Sequence, residues 1–217
     1  PGISAPALPN RTGRLSDDFT GDLYVIGLWM HGVLDPKTGK WIENLTDTST
    51  VWNHQWRAHG SQPGYDVKQS SQFLISKSTD DGLTWSEPRN ITRQVKKEKW
   101  WLLAPGPGRG ITMEDGTLVF PVEGRNEDGL QFSTIMWSKD KGENWTVGEP
   151  AYYNTNECQV VELSDHSLML NMRERSNRGR QEGNGRAIAV TADLGKTWTE
   201  HPTSRRALIE PAFQASL

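Results

Sequence analysis

Residues 76–85 read SKSTDDGLTW, residues 137–145 read WSKDKGENW, and residues 190–198 read VTADLGKTW. Aligned on Asp80, Asp140 and Asp193, they share Ser/Thr-x-Asp-x-Gly-x-x-Trp at intervals of 60 and 53 residues. The pattern is that of a tight turn. Hydroxyl and carboxylate side chains accept hydrogen bonds from backbone N–H groups that a reversal removes from the ladder. Glycine takes a backbone angle that other residues resist, and the tryptophan folds back over the hairpin to bury a large surface. Because the turn consumes its own polar groups, the repeats at 78–85, 138–145 and 191–198 are read as scaffold, and their aspartates as poor candidates for catalysis.

Working outward, each repeat follows a short apolar run: SQFLISKS, FSTIMWS and RAIAVTA. DLYVIGLWM, GTLVFPV, CQVVEL and SLMLNM add further strand candidates, most bounded by Gly, Asp or Ser. No amphipathic helix of ten residues or more is evident. Strands at short intervals under a longer period, with ten tryptophans and 21 glycines beside five phenylalanines, predict an all-β β-propeller with about four strands per blade.

At 217 residues the chain is long enough for a sizeable core. A formal net charge of −3 gives no reason to expect nucleic acid or a membrane surface as partner. Basic residues cluster at Lys96, Lys97 and Lys99, expected to be a solvated face, and again from Arg173 to Arg186. Cys158, the single cysteine, excludes an intrachain disulfide and is read as a buried small side chain of a strand. No apolar run is long enough to span a membrane. The chain starts at Pro1 without a signal-peptide pattern and reads as a processed or cut product. GPGRG at 106–110 lacks the Gly-Lys-Ser/Thr of a phosphate loop. His31, His54 and His59 are read as packing residues, since zinc needs a tighter ligand cluster. No cofactor or metal is expected. The sequons at Asn10, Asn44, Asn90 and Asn144 carry no weight in this reading.

The repeat resembles the Asp-box of sialidases, and the resemblance runs from about residue 20 to the last residue. It is carried by WWLLAPGPGRGITMEDGTLVFPVEGR, NECQVVELSDHSLMLNMRER and AIAVTADLGKTWTEHPTSRRALIEPAFQASL, which are similar to the middle of a bacterial exo-α-sialidase of the gut-bacterial type. The resemblance implies a six-bladed propeller, of which residues 1–217 form a partial catalytic domain of about four blades. It implies hydrolysis, with retention and without metal, of terminal sialic acids on glycoproteins, glycolipids or oligosaccharides. It also implies a secreted or periplasmic location.

Sialic acid carries a carboxylate on its anomeric carbon. An arginine fork holds that group bidentately with a charge that does not titrate. An anionic nucleophile would be repelled there, whereas a neutral tyrosine deprotonated by a glutamate is not. By the resemblance Glu157 is the tyrosine-activating glutamate, and Arg173, 16 residues on, is one of three carboxylate-binding arginines. The hairpin between them is expected to set both at one end of neighbouring strands. Glu123 occupies a place where related sialidases often carry a glutamine lining the sugar pocket, although a glutamate adds negative charge beside an anionic ligand. Asp66 and Gln69, in the loop at 57–72 before the first box, are further candidates for substrate binding.

The family's Arg-Ile-Pro strand with its arginine, the acid aspartate, the third arginine and the tyrosine have no counterpart among these residues. The first residues also depart from the family, with Ala5-Pro6 where relatives have aspartate and proline. A fragment with very weak turnover is therefore expected. Two other readings stand beside the hydrolase: a non-catalytic Asp-box propeller that binds glycans or proteins, and a trans-sialidase.

Overall fold

The computed structural model of the chain describes residues 12–17, 20–30, 37–38, 61–67, 69–177 and 182–209. Three antiparallel meanders follow one another along it. The first joins β1 (Thr12–Ser16), β2 (Leu23–Trp29), β3 (Gln72–Ser78) and β4 (Arg89–Asn90). The helix α1 (Thr92–Val95) leads to the second, which begins at β5 (Leu102–Pro105). Two short strands follow, β6 (Gly108–Arg109), parallel to β1, and β7 (Ile111–Thr112). The sheet continues through β8 (Leu118–Arg125), β9 (Gln131–Ser138) and β10 (Thr146–Val147), with β11 (Tyr152–Tyr153) also on β9. The third joins β12 (Thr155–Glu162), β13 (Leu168–Glu174), β14 (Ala187–Thr191) and β15 (Thr199–Glu200).

Each sheet contains the four-strand path that the repeat predicts, with β6 added to the first and β7 and β11 to the second. Three such units lie among the described residues. The histidines at 31, 54 and 59, the sequons at 10 and 44, and Ala5-Pro6 lie outside them.

The repeated turns always join the third strand of a sheet to the fourth. The Ser78, Ser138 and Thr191 hydroxyls each accept the N–H of the glycine four residues on, at 2.9 Å. The aspartates then accept the N–H groups of Thr84, Asn144 and Thr197, each at 2.9 Å. Hydrogen bonds from the Thr197 backbone and then its hydroxyl pull the Asp193 carboxyl down to about 2. These carboxylates are committed to their turns.

One detail was not legible. Asp81, Lys141 and Leu194, just before the turn glycines, are also left-handed, at φ 57°, 57° and 58°. Asp suits that conformation, but Lys and Leu give no such signal. Two of the carbonyls so turned serve the preceding sheet. The Tyr24 hydroxyl donates to Lys141 O at 2.9 Å, and Trp137 Nε1 donates to Leu194 O at 3.1 Å.

Alternation sets the cores. In β2, Tyr24, Ile26 and Leu28 are buried and their neighbours half-buried. In β8 almost every residue is buried, because the second sheet is covered on both faces. Leu118, Phe120 and Val122 join the core shared with Tyr24, Ile26 and Phe73 of the first sheet. Val119 faces the other way, into the core with Cys158, Val160, Leu170 and Met172 of the third sheet. The two-residue period therefore directs Glu123 toward the third sheet as well.

The Lys96 expectation fails. Lys96 is 3% exposed, and its ammonium donates to Gly64 O at 2.8 Å. Burial lowers its pKa to about 8. The residue ends α1 on its inward side beside Val95, so the loop at 61–67 closes over it. Lys97 and Lys99 do reach outward, to Glu149 and Glu127 at 2.6 Å each.

The three tryptophans of the turns differ in depth. Trp145 is 3% exposed, its ring tilted against that of Phe120 at 5.6 Å between centroids, whereas Trp85 is 43% exposed. Trp145→Ala is expected to destabilise the protein by about 3–5 kcal/mol, the range for emptying a buried aromatic site. Trp85→Ala is expected to cost about 1 kcal/mol. Urea unfolding of the two variants checks the difference.

Candidate active site

The register assigns each sheet two chemically different ends. Leu23 pairs with Ser78, Leu118 with Ser138 and Leu168 with Thr191, so each turn repeat caps one end. The opposite ends carry the pairs Trp29 with Gln72, Arg125 with Gln131, and Met172 with Ala187. Glu157, near the start of β12, and Arg173, near the end of β13, both lie at this opposite end. Arg173 Nη1 meets Glu157 Oε2 at 3.0 Å, with side chains 23% and 21% exposed. The hairpin thus brings together the two residues that the sequence singled out, at a place open to solvent.

The backbone at Glu157 is unusual. The β12–β13 register slips between Asn156, which faces Arg173, and Cys158, which faces Met172. Glu157 is the extra residue of this bulge and has φ 34°, in the left-handed region. A bulge re-aims a side chain that strict alternation would have fixed, and a non-glycine residue held there stores strain that its surroundings must offset. Glu157 N–H donates to Glu123 Oε2 at 2.8 Å, and Arg186 Nη2 donates to Glu157 O at 3.1 Å.

Glu123 is therefore brought to the site, but it is 3% exposed and turned onto the Glu157 backbone. Asp66 and Gln69 lie in the exposed turn leading to β3, at the corresponding end of the first sheet. Gln69 N–H donates to Asp66 O at 3.0 Å, and Gln62 N–H donates to Gln69 O at 2.8 Å. These backbone bonds shape the loop that carries the two residues.

Cys158 follows the catalytic candidate immediately yet is fully buried, with Sγ 3.4 Å from Val122 O. Burial raises its thiol pKa to about 12, which leaves it no nucleophilic role. Among the described residues no group of His, Cys, Asp and Glu is arranged to hold a metal. No helix of the described residues is long and apolar enough to cross a membrane.

A family model described as a BNR repeat-like domain matches residues 46–212. The chain belongs to the BNR repeat-like family. A sialidase of Bacteroides fragilis (strain YCH46) is 45% identical to it over 215 residues, 98% of this chain and 35% of that protein. A sialidase of Clostridium perfringens is 36% identical over 156 residues, 66% of this chain and 38% of that protein. Among solved structures, the Hadza microbial sialidase Hz136 superposes with a TM-score of 0.78 at 41% identity, over 94% of this chain and 35% of that one. The BNR repeat-like chain thus spans little more than a third of each of these three relatives. Sialidases are β-propellers, and the three meanders agree with that all-β architecture.

Sequence reading of this BNR repeat-like chain missed other basic residues at the same end. Arg125 ends β8, and burial, then the charge of Arg175, lower its pKa. Arg125, Arg173 and Arg175 share this end with the acidic Glu157 and Glu174. Arg186 was visible only as the last member of a basic run. Its burial, at 2% exposed, follows from pairing across strands, which composition does not encode.

Proposed function

We propose that the full-length protein containing this chain is an exo-α-sialidase that removes terminal sialic acids from glycoconjugates with retention. The single observation that carries the reading is the solvent-open Glu157–Arg173 pair at the end of the sheets opposite the turn repeats. A scaffold has no need of a strained, half-open carboxylate beside a guanidinium, and the names of the relatives favour this chemistry. In the proposed site Arg173 contributes one fork to the clamp on the sialic acid carboxylate, at a rim that also carries Arg125 and Arg175. Glu157 takes the proton of a tyrosine supplied by the rest of the protein, and that phenol attacks the anomeric carbon. Sialidases are the tyrosine exception among retaining glycosidases. An aspartic acid outside these residues protonates the leaving oxygen. Six blades close the propeller, and a secreted or periplasmic site of action fits a glycoconjugate substrate.

The test is the full-length protein with 3′-sialyllactose, followed by proton NMR from the first turnover. The reading expects free sialic acid, with the α-anomer appearing before the β-anomer. Binding without release would make the protein a non-catalytic glycan-binding module. Transfer to added lactose in place of release would make it a trans-sialidase.

A further inference from the structure

We propose that Arg186 and Glu123 are positioning residues that hold the bulge carrying Glu157 in its left-handed conformation. This rests on the reading of Glu157 as the activating carboxylate. The two groups grip one residue from both sides. Glu123, from β8 of the second sheet, accepts the Glu157 N–H at 2.8 Å. Arg186, which precedes β14 in the third sheet, donates to the Glu157 carbonyl at 3.1 Å, while its Nε donates to Asn171 Oδ1. Glu123, Arg186 and Asn171 are 3%, 2% and 1% exposed, whereas the side chain they position is 21% exposed.

The signs match the backbone. A negative group meets the N–H and a positive group meets the carbonyl, so each buried charge strengthens the bond it makes. A φ of 34° at a glutamate persists only where the surroundings over-determine it. Arg186 is itself fixed: its N–H donates to Leu208 O and its carbonyl accepts Arg205 N–H, each at 2.8 Å. A Cβ on Gly185 would lie 2.3 Å from the Arg205 carbonyl carbon, so the turn at 203–208 packs directly against this segment. The carboxylate of Glu157 thus meets Arg173 because its backbone is clamped between two sheets.

Variants of the full-length protein test this. Arg186→Met and Glu123→Leu each remove one jaw. Both are expected to lower kcat by about 30- to 100-fold, the scale of a misplaced reacting group. The dissociation constant for a sialic acid analogue is expected to move less than about threefold, because Arg173 remains. Arg186→Lys, which keeps a donor, and Glu123→Gln, which keeps an acceptor oxygen, should each recover most of the lost kcat. A purely structural role would lower melting temperature without this split between kcat and binding, and without rescue. Burying a charge without its partner threatens folding; if Arg186→Met does not fold, Glu123→Leu and Arg186→Lys carry the test. If Glu157→Gln is inactive while folded Glu123→Leu and Arg186→Met keep their kcat, the clamp is overturned and the functional reading stands. If Glu157→Gln is fully active, the functional reading itself falls.

Discussion

Glu157→Gln in the full-length protein is expected to lower kcat by about 10²- to 10⁴-fold, the usual contribution of a positioned acid–base group. The amide keeps the volume and the backbone contacts to Glu123 and Arg186, but it cannot take a proton from the tyrosine. Affinity for a sialic acid analogue should be unchanged or slightly tighter, since the Glu157 carboxylate 3.0 Å from Arg173 is replaced by a neutral amide that competes less with the ligand carboxylate. Steady-state kinetics and calorimetric titration separate the two effects. Unaltered kcat would remove Glu157 from the mechanism.

Arg173 is expected to fail in the complementary way. Arg173→Leu removes a fork from the substrate carboxylate, and truncating one side of a hydrogen-bonded charge pair costs about 2–5 kcal/mol. The dissociation constant of the analogue and KM should therefore rise together by roughly 30-fold or more. Arg173→Lys keeps the charge but loses the planar two-point geometry, so it should recover only part of the affinity. A variant that binds the analogue normally would show that Arg173 serves only to hold Glu157.

The frame was legible because its signals are local. The hydroxyl, aspartate and glycine of each repeat make their bonds within a few residues, as Ser138, Asp140 and Gly142 do. Strand runs such as LYVIGLW and LVFPVEGR register their burial directly in apolar content. The pairing of Glu157 with Arg173 was legible through the resemblance and the hairpin between them.

The support for that pair was not legible. The bulge at Glu157 depends on a register slip that no residue type announces. Glu123 and Arg186 reach it from elements 34 and 29 residues away along the chain. Lys96 misled for a related reason: three lysines in a short span suggest water, but the end of α1 and the loop at 61–67 enclose one of them. Contacts between sheets decide these cases, and sequence spacing carries little of that information.

The central claim is that Glu157 and Arg173 face the sialic acid. A crystal structure of the full-length protein with a sialic acid analogue tests it most directly. The account predicts the ligand carboxylate within hydrogen-bonding distance of the Arg173 guanidinium, and a tyrosine hydroxyl on the Glu157 carboxylate beneath the anomeric carbon. A ligand bound elsewhere, with the Glu157–Arg173 pair intact and no tyrosine beside it, would contradict the account.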